Sequence, residues 1–206
     1  MGAQSFIYRH IFIYRFLMNL LYLGKYRSRF TQVIEQIKNL PPNSKILELC
    51  FGDTYIAAYS KNAGYKWNGI DLNKHFVKQA QKMGYDADYK DLVSLEALPK
   101  ADACVMVGSF YHFQSDAFSI LKKMFSASGL VVISEPVSNL SSKGGLVGFI
   151  AKRAANAGNG NEEFRYNEKS FLSMLKENSA PLSYTISSVK RFDKDLIVKL
   201  IKNGNN

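Results

Sequence analysis

Two carboxylates, Glu48 and Asp53, flank Gly52, the single glycine of a short turn. A third carboxylate, Asp71, ends the next apolar run, 19 residues after Gly52. A carboxylate at that position can accept hydrogen bonds from both hydroxyl groups of a ribose. His112 follows a later apolar run, and a neutral imidazole can take a proton from a substrate. The spacing of Gly52 and Asp71 indicates nucleoside binding, and His112 is a side chain that could transfer a proton.

The turn also indicates which ligand carries the nucleoside. The six positions Cys50–Tyr55 contain one glycine, whereas the dinucleotide fingerprint needs three so that the backbone can approach a pyrophosphate. Glu48 and Asp53 would repel a phosphate, but they suit a ligand that carries amino and sulfonium groups. We therefore predict S-adenosylmethionine as the cofactor.

An α/β unit is predicted to position these residues. The apolar run Ile46–Cys50 reads as a strand that Gly52 ends, and Thr54 can cap the helix that follows. Because parallel strands end at a common edge, where such sheets bind ligands, the side chains named above should lie close together. Further strands are predicted at 66–71, 85–89, 101–107 and 129–136, with helical segments between them.

The order of these residues resembles the class I S-adenosylmethionine-dependent methyltransferases. Their first motif appears here as Glu48-Leu49-Cys50-Phe51-Gly52-Asp53-Thr54, with Cys50 and Thr54 replacing two of the family's glycines. The resemblance covers about residues 45–136 and two alternating runs at 182–189 and 196–201. It implies an α/β, Rossmann-like seven-stranded sheet with helices on both faces, an antiparallel C-terminal hairpin and extra N-terminal helices.

The resemblance also implies roles for individual residues. Asp71 would hold the ribose, and Asp91 would accept a hydrogen bond from the adenine amino group, with Asp86 and Asp88 as nearby alternatives. The implied cofactor-binding residues are Glu48, Cys50, Gly52, Asp53, Asp71, Leu72, Asp91, Leu92, Gly108 and Ser109. The catalytic candidates are His112, Glu135 and Tyr111, and no metal ligands are predicted.

Each of these roles has a structural alternative. Asp71 would otherwise cap the next helix, and Glu135 would cap its strand before Pro136. His112 would otherwise be a packed structural side chain. If His112 is the base, we expect its pKa near the ordinary value of about 6.5, so that the neutral ring accepts a proton near pH 7. Tyr111 would then orient the acceptor.

Composition predicts one domain. The chain has 206 residues, 47% of them hydrophobic, and only five prolines, which argues against a disordered protein. We divide it into a helical cap (1–42), a cofactor-binding core (43–136) and a substrate-side insertion with the C-terminal hairpin (137–206). Cys50 and Cys104 both lie in apolar runs, which predicts free thiols in a reducing, cytoplasmic compartment.

The net charge of +10 lies outside the predicted core. Residues 1–45 carry +6 and residues 151–206 carry +4, whereas residues 46–150 are neutral. The apolar stretch Phe6–Leu23 contains Arg9 and Arg15, so a transmembrane helix is not predicted. Three interpretations remain open for it: a helix packed over the domain, an interfacial helix in which residues 5–29 contact a membrane, and an oligomer contact.

Two further segments flank the core. Lys25–Leu40 is predicted to form a second helix that ends before Pro41. Residues 138–161 contain five glycines and predict either a flexible surface loop or a substrate-recognition insertion. Leu146–Ala154 within this segment is predicted as a short basic helix.

The motifs together predict methyl transfer to a small-molecule, lipid or sugar-precursor acceptor. The Asn/Asp-Pro-Pro-aromatic sequence of enzymes that methylate amino groups on bases and glutamine is absent, as is the Pro-Cys pair used on pyrimidines. Nucleic acid is therefore not expected as a partner. The alternatives are a catalytically inactive binding protein with this fold and a basic RNA-binding methyltransferase. The oligomeric state is left open.

Overall fold

The computed structural model describes residues 11–137 and 164–204. Parts of the predictions for the N-terminal stretch and for the insertion lie outside these ranges. They include the short basic helix at Leu146–Ala154. The described residues alternate strands and helices as the apolar runs predict.

Seven strands and six α-helices make up the described chain. The strands are β1 (Lys45–Leu49), β2 (Lys66–Asp71), β3 (Asp86–Tyr89), β4 (Ala103–Val107), β5 (Leu130–Pro136), β6 (Tyr184–Phe192) and β7 (Asp195–Lys202). The helices are α1 (Ile11–Leu21), α2 (Tyr26–Ile34), α3 (Tyr55–Asn62), α4 (Lys74–Lys82), α5 (Ala117–Ala127) and α6 (Glu168–Ser179). A 3-10 helix covers Phe110–Asp116.

One seven-stranded sheet has the order β3-β2-β1-β4-β5-β7-β6. The first five strands are parallel, and β7 lies antiparallel between β5 and β6. The predicted α/β sheet with an antiparallel C-terminal hairpin is therefore confirmed. The chain reverses its strand order between β1 and β4, and open α/β sheets bind their ligands at the carboxyl ends of the strands beside such a point.

The sheet separates two hydrophobic cores. Cys104 and Met106 of β4 pack into one core, and Val105 with its alternating neighbours packs into the other. Because side chains alternate along a strand, a strand buried on both faces must be apolar throughout. This explains why the run at β4 contains no polar residue.

The N-terminal helices pack over one face of the sheet. Leu21 and Tyr22 near the end of α1 are buried, as are Tyr26 and Phe30 of α2. Helix α2 ends at Ile34, earlier than predicted, because the chain tightens into turns before Pro41. No helix among the described residues is long and apolar enough to span a bilayer.

Candidate active site

The Gly52 turn joins β1 to α3 at the carboxyl edge of the sheet. Gly52 has φ +54°, and Cys50 has φ +52°, which is the left-handed region that glycine adopts most easily. A non-glycine residue costs about 1–2 kcal/mol there. Cys50 stands where the methyltransferase motif has a glycine, and it adopts the left-handed conformation that a glycine would adopt there.

Asp71 lies beside this turn at the end of β2. Its two carboxylate oxygens accept hydrogen bonds from the backbone N–H groups of Gly52 (3.0 Å) and Asn73 (2.7 Å). Burial raises the pKa of Asp71 to about 6, and these hydrogen bonds oppose the rise. The alternative that Asp71 caps α4 is wrong, because the side chain of Asn73 accepts the hydrogen bonds at that helix start. Leu72 is partly buried between them.

Glu48 is fully buried in β1, away from the surface of the turn. Its Oε2 accepts a hydrogen bond from the indole Nε1 of Trp67 at 2.8 Å, and its Oε1 has no hydrogen-bond partner. Burial raises the pKa of Glu48 well above the ordinary value. The Trp67 ring lies over Gly69, where any side chain would collide with it. Glu48 is therefore not the exposed anion that we expected for a cationic ligand.

Asp53 is also not a free anion. Nη2 of Arg15 lies 2.6 Å from its Oδ1, and Nε lies 3.0 Å from its Oδ2. The carboxylate of Asp53 accepts the N–H of Thr54 as well. Thr54 occupies the N-cap position of α3, as predicted, but its side chain makes no capping hydrogen bond. The sequence analysis did not identify Arg15 as the partner of Asp53, because an arginine in an apolar helix belongs to no motif.

Tyr14 is a second α1 residue that sequence analysis missed. Its hydroxyl lies 3.3 Å from the position that a Cβ on Gly52 would occupy. Its ring packs against Phe76 of α4, with 5.1 Å between the ring centroids. Tyr14 and Arg15 therefore bring α1 directly onto the Gly52 turn, which agrees with the interpretation of this segment as a covering helix.

Asp91 follows β3 but uses its side chain locally. Its Oδ1 accepts the N–H of Val93 at 3.0 Å, which begins a turn. Leu92 is buried in the core, and its carbonyl oxygen accepts a hydrogen bond from Lys123. Asp88 pairs with Lys90 at 3.1 Å. A role for Asp91 at an adenine ring remains a prediction.

Gly108 and Ser109 connect β4 to the 3-10 helix. Gly108 has φ +70°, and its N–H donates to the carbonyl oxygen of Ser134 at 2.6 Å. A Cβ at Gly108 would lie 2.5 Å from Nη2 of Arg29. Only glycine therefore fits here without displacing the guanidinium of Arg29.

His112 and Tyr111 lie on the 3-10 helix, next to Arg165. The ring centroids of Tyr111 and His112 are 3.9 Å apart, and the guanidinium of Arg165 lies 3.6 Å from the Tyr111 centroid. Burial and the positive charge of Arg165 lower the pKa of His112 to about 4. Our expectation of an ordinary pKa is therefore wrong. The imidazole is neutral at pH 7 but is a weak base.

Glu135 lies at the end of β5 with no exposed surface. Its Oε2 accepts the N–H of Phe110 at 3.0 Å, and its Oε1 has no hydrogen-bond partner. Burial and the nearby Asp195 raise the pKa of Glu135 to about 8, although Arg29 and other groups oppose the rise. The hydroxyl of Tyr166, also buried, has no hydrogen-bond partner. Unused buried polar atoms are rare, and several of them occur at this edge of the sheet.

The described cavities lie away from this edge. One of about 410 Å³ opens at the amino-terminal ends of the strands, and its lining includes Lys45, Lys66 and Lys100 together with Asp86 and Asp88. Because side chains of both charges line this cavity, it is not a purely cationic patch. Within residues 11–137 and 164–204, no three side chains of the metal-ligating types are grouped so that they could hold an ion.

Comparisons with known proteins agree on the fold. No family model matches the sequence, and no curated protein matches it. Magnesium protoporphyrin IX methyltransferase from Synechocystis PCC 6803, solved with bound SAH, is 15% identical with a TM-score of 0.63, over 98% of this chain and 90% of that chain. An S-adenosylmethionine-dependent methyltransferase from Mesorhizobium loti is 14% identical with a TM-score of 0.65, over 84% and 97%.

A TehB-like SAM-dependent methyltransferase from Corynebacterium glutamicum is 18% identical with a TM-score of 0.56, over 85% of this chain and 88% of that chain. Identities this low show a shared fold and nothing finer. The chain therefore has the fold of the class I S-adenosylmethionine-dependent methyltransferases.

Proposed function

We propose that the protein is an S-adenosylmethionine-dependent methyltransferase that acts on a small-molecule, lipid or sugar-precursor acceptor. The observation that carries the proposal is the hydrogen bond between Asp71 and the N–H of Gly52 at the switch point of a class I sheet. This bond holds the Asp71 carboxylate against the Gly52 turn, where the carboxylate would bind the ribose hydroxyl groups.

The residues present fit this cofactor. Asp71 would hold the ribose, and Gly52 itself adds no side chain to the turn, whose surface the Tyr14 hydroxyl approaches from α1. S-adenosylmethionine, when bound, supplies a methyl group that its sulfonium already activates. The chain's own contribution is to position the acceptor and to accept the proton that a hydroxyl acceptor loses.

Two residues are candidates for accepting that proton. His112 is partly exposed, but its pKa of about 4 makes it a weak base. Glu135 has a pKa of about 8 and an Oε1 atom that no other group uses. A base whose pKa lies near the working pH is the more effective one, so we favour Glu135.

Calorimetric titration with S-adenosylmethionine, its demethylated product and NAD tests the cofactor assignment. We expect the first two to bind, and we expect Asp71→Asn to weaken both by about 10- to 100-fold, because a charged hydrogen bond is worth about 1.5–3 kcal/mol. The matched control is Asp86→Asn, at the exposed amino-terminal end of β3, which should bind normally. Binding of NAD without S-adenosylmethionine would show that the assignment is wrong.

Turnover separates an enzyme from a binding protein that keeps this fold. Release of the demethylated cofactor should be measured with pooled lipids, sugar nucleotides and RNA as separate acceptor mixtures. Turnover with RNA alone would favour the RNA-binding alternative. Cofactor binding without turnover on any mixture would favour the inactive relative.

We further propose that α1 contacts an anionic membrane surface. The exposed apolar side chains of this segment include Phe12 and Phe16 of α1 and Leu23, two residues after α1 ends, which are 78%, 69% and 75% exposed. Phe12, Phe16 and Leu20 follow at helical spacing on the face opposite the packed side of α1. Lys25 and Arg27 are also exposed nearby, with Asp193 3.9 Å from Lys25. Arg15 and Arg29 are paired with Asp53 and Asp195 and do not add to this exposed charge. Apolar and aromatic side chains flanked by cations are typical of interfacial helices.

Vesicle sedimentation tests this contact. We expect binding to vesicles that contain phosphatidylglycerol at low salt, and at least about tenfold weaker binding for the double variant Phe12→Ser and Phe16→Ser, since a buried phenylalanine contributes about 1.5–3 kcal/mol. Phe118→Ser, which removes an exposed phenylalanine from α5, is the matched control and should bind normally. Equal sedimentation of all three proteins would contradict the contact.

A further inference from the structure

Arg29 of α2 is a buried cation with unused hydrogen-bonding capacity. It is 3% exposed, and its Nε lies 2.8 Å from Oδ2 of Asp195 at the start of β7. The guanidinium lies 4.7 Å from the centroid of the Tyr22 ring, and the Tyr22 hydroxyl donates to the other oxygen of Asp195. The Nη2 atom of Arg29 has no hydrogen-bond partner.

The guanidinium lies at the edge of the sheet that carries the Gly52 turn. It packs against the backbone of Gly108, where a Cβ would be 2.5 Å from Nη2 and 3.1 Å from Nη1. Because Leu49 of β1 pairs with Met106 of β4, the residues that follow these two strands lie side by side. Arg29 therefore reaches from α2 to the junction of the two loops that begin at Cys50 and Gly108.

An arginine needs more acceptors than Asp195 supplies. Asp195 balances its charge, but a guanidinium has five N–H donors in a planar fork that matches the two oxygens of a carboxylate. Leaving a buried donor without an acceptor is unfavourable, and native structures contain few such groups. An unused Nη2 beside a ligand-binding edge indicates an anionic group that arrives with a ligand.

We propose that Arg29 binds the carboxylate of the methionine part of S-adenosylmethionine. The inference rests on the proposed function, because it assumes that this cofactor binds at the Gly52 turn. The carboxylate is the one anionic group of this cofactor at neutral pH, so it is the group that matches an arginine. Neither Glu48 nor Asp53 can take this role, since both are acids.

The test compares S-adenosylmethionine with its decarboxylated form, which keeps the adenosine, sulfonium and amino groups. Calorimetric titration of the full chain should show about 10- to 100-fold tighter binding of the carboxylated form, as expected for a charged hydrogen bond. The double variant Arg29→Met and Asp195→Asn, which removes both buried charges together, should bind the two forms about equally. Tyr22→Phe, which changes only the hydroxyl on Asp195, is the matched control and should keep the preference.

Arg29→Lys provides a second variant should the double variant fail to fold. It keeps the charge but not the fork, so the preference for the carboxylated form should fall at least about threefold. Equal binding of the two forms by the wild-type protein, or a full preference in either folded Arg29 variant, would overturn the inference while the proposed function stands. Failure of the wild-type protein to bind S-adenosylmethionine at all would instead overturn the proposed function, and the inference with it.

Discussion

The Glu135→Gln variant is expected to keep most of its stability as the pH rises from about 4.5 to 8. Over the same range the unfolding free energy of the wild-type protein should fall. The pKa of Glu135 is raised from 4.5 to about 8 in the folded protein. Between these values the folded state holds a proton that the unfolded state has released, so stability falls as the pH rises. At about 1.4 kcal/mol per pKa unit, the difference is worth up to about 5 kcal/mol above pH 8. Glutamine stays neutral and can still accept the N–H of Phe110.

Urea unfolding at several pH values measures this effect. The quantity of interest is the variant's unfolding free energy minus that of the wild-type protein, because Asp71, whose pKa is raised to about 6, adds to the same trend in both. We expect this difference to grow from near zero at about pH 4 to its full size above pH 8. Glu96→Gln, at an exposed position, is the control and should follow the wild-type curve. A Glu135→Gln curve parallel to the wild-type curve would show that the Glu135 carboxyl is not held protonated.

The rate of methyl transfer is expected to rise about tenfold per pH unit up to about pH 8 with a hydroxyl acceptor. A general base must be ionised to take the acceptor's proton, and the pKa of Glu135 is about 8. Replacing Glu135 by glutamine should lower the rate by about 10²–10⁴-fold, the usual loss for removing a general base. The measurement is the pH–rate profile with the acceptor found in the turnover screen.

The His112→Asn variant tests whether His112, and not Glu135, is the base. A pKa of about 4 makes His112 a weak base, so we expect the rate to fall by less than about tenfold and the profile to keep its shape. If the profile is instead flat between pH 5 and pH 8, and His112→Asn loses about 10²-fold or more, the proton goes to His112. Cofactor affinity should change little in either variant, which separates turnover from binding.

Both predictions depend on where charge is buried at the edge of the sheet. Asp195 and Glu135 face the same region, with Arg29 and Arg165 close enough to affect the pKa of Glu135. Arg29 is paired with Asp195, so its charge only partly offsets the burial of Glu135. Because desolvation raises the pKa of a carboxyl, Glu135 stays neutral near pH 7. This pattern of burial could not be read from the spacing of the residues along the chain.

Local sequence determined the order of elements and the place of the Gly52 turn. The five parallel strands are runs of four to seven residues that alternate with helical patterns, and such periodicity depends only on neighbouring side chains. The bounds predicted for β2, 66–71, match the structure. Gly52 and Asp71 could likewise be identified in advance. A glycine marks a tight turn, and an acid at the end of a strand can be located once that strand is predicted.

Tertiary structure alone decided which charges are free. Sequence analysis treated Glu48 and Asp53 as anions at the turn, but Trp67 holds one in the core and Arg15 pairs with the other. The partners lie 19 and 38 positions away in the chain, and neither belongs to a motif. Burial also separates the pKa values of His112 and Glu135, which in isolated peptides would lie about two units apart in the opposite order. Desolvation depends on everything packed around a group, so only the folded chain determines which of the two can take a proton.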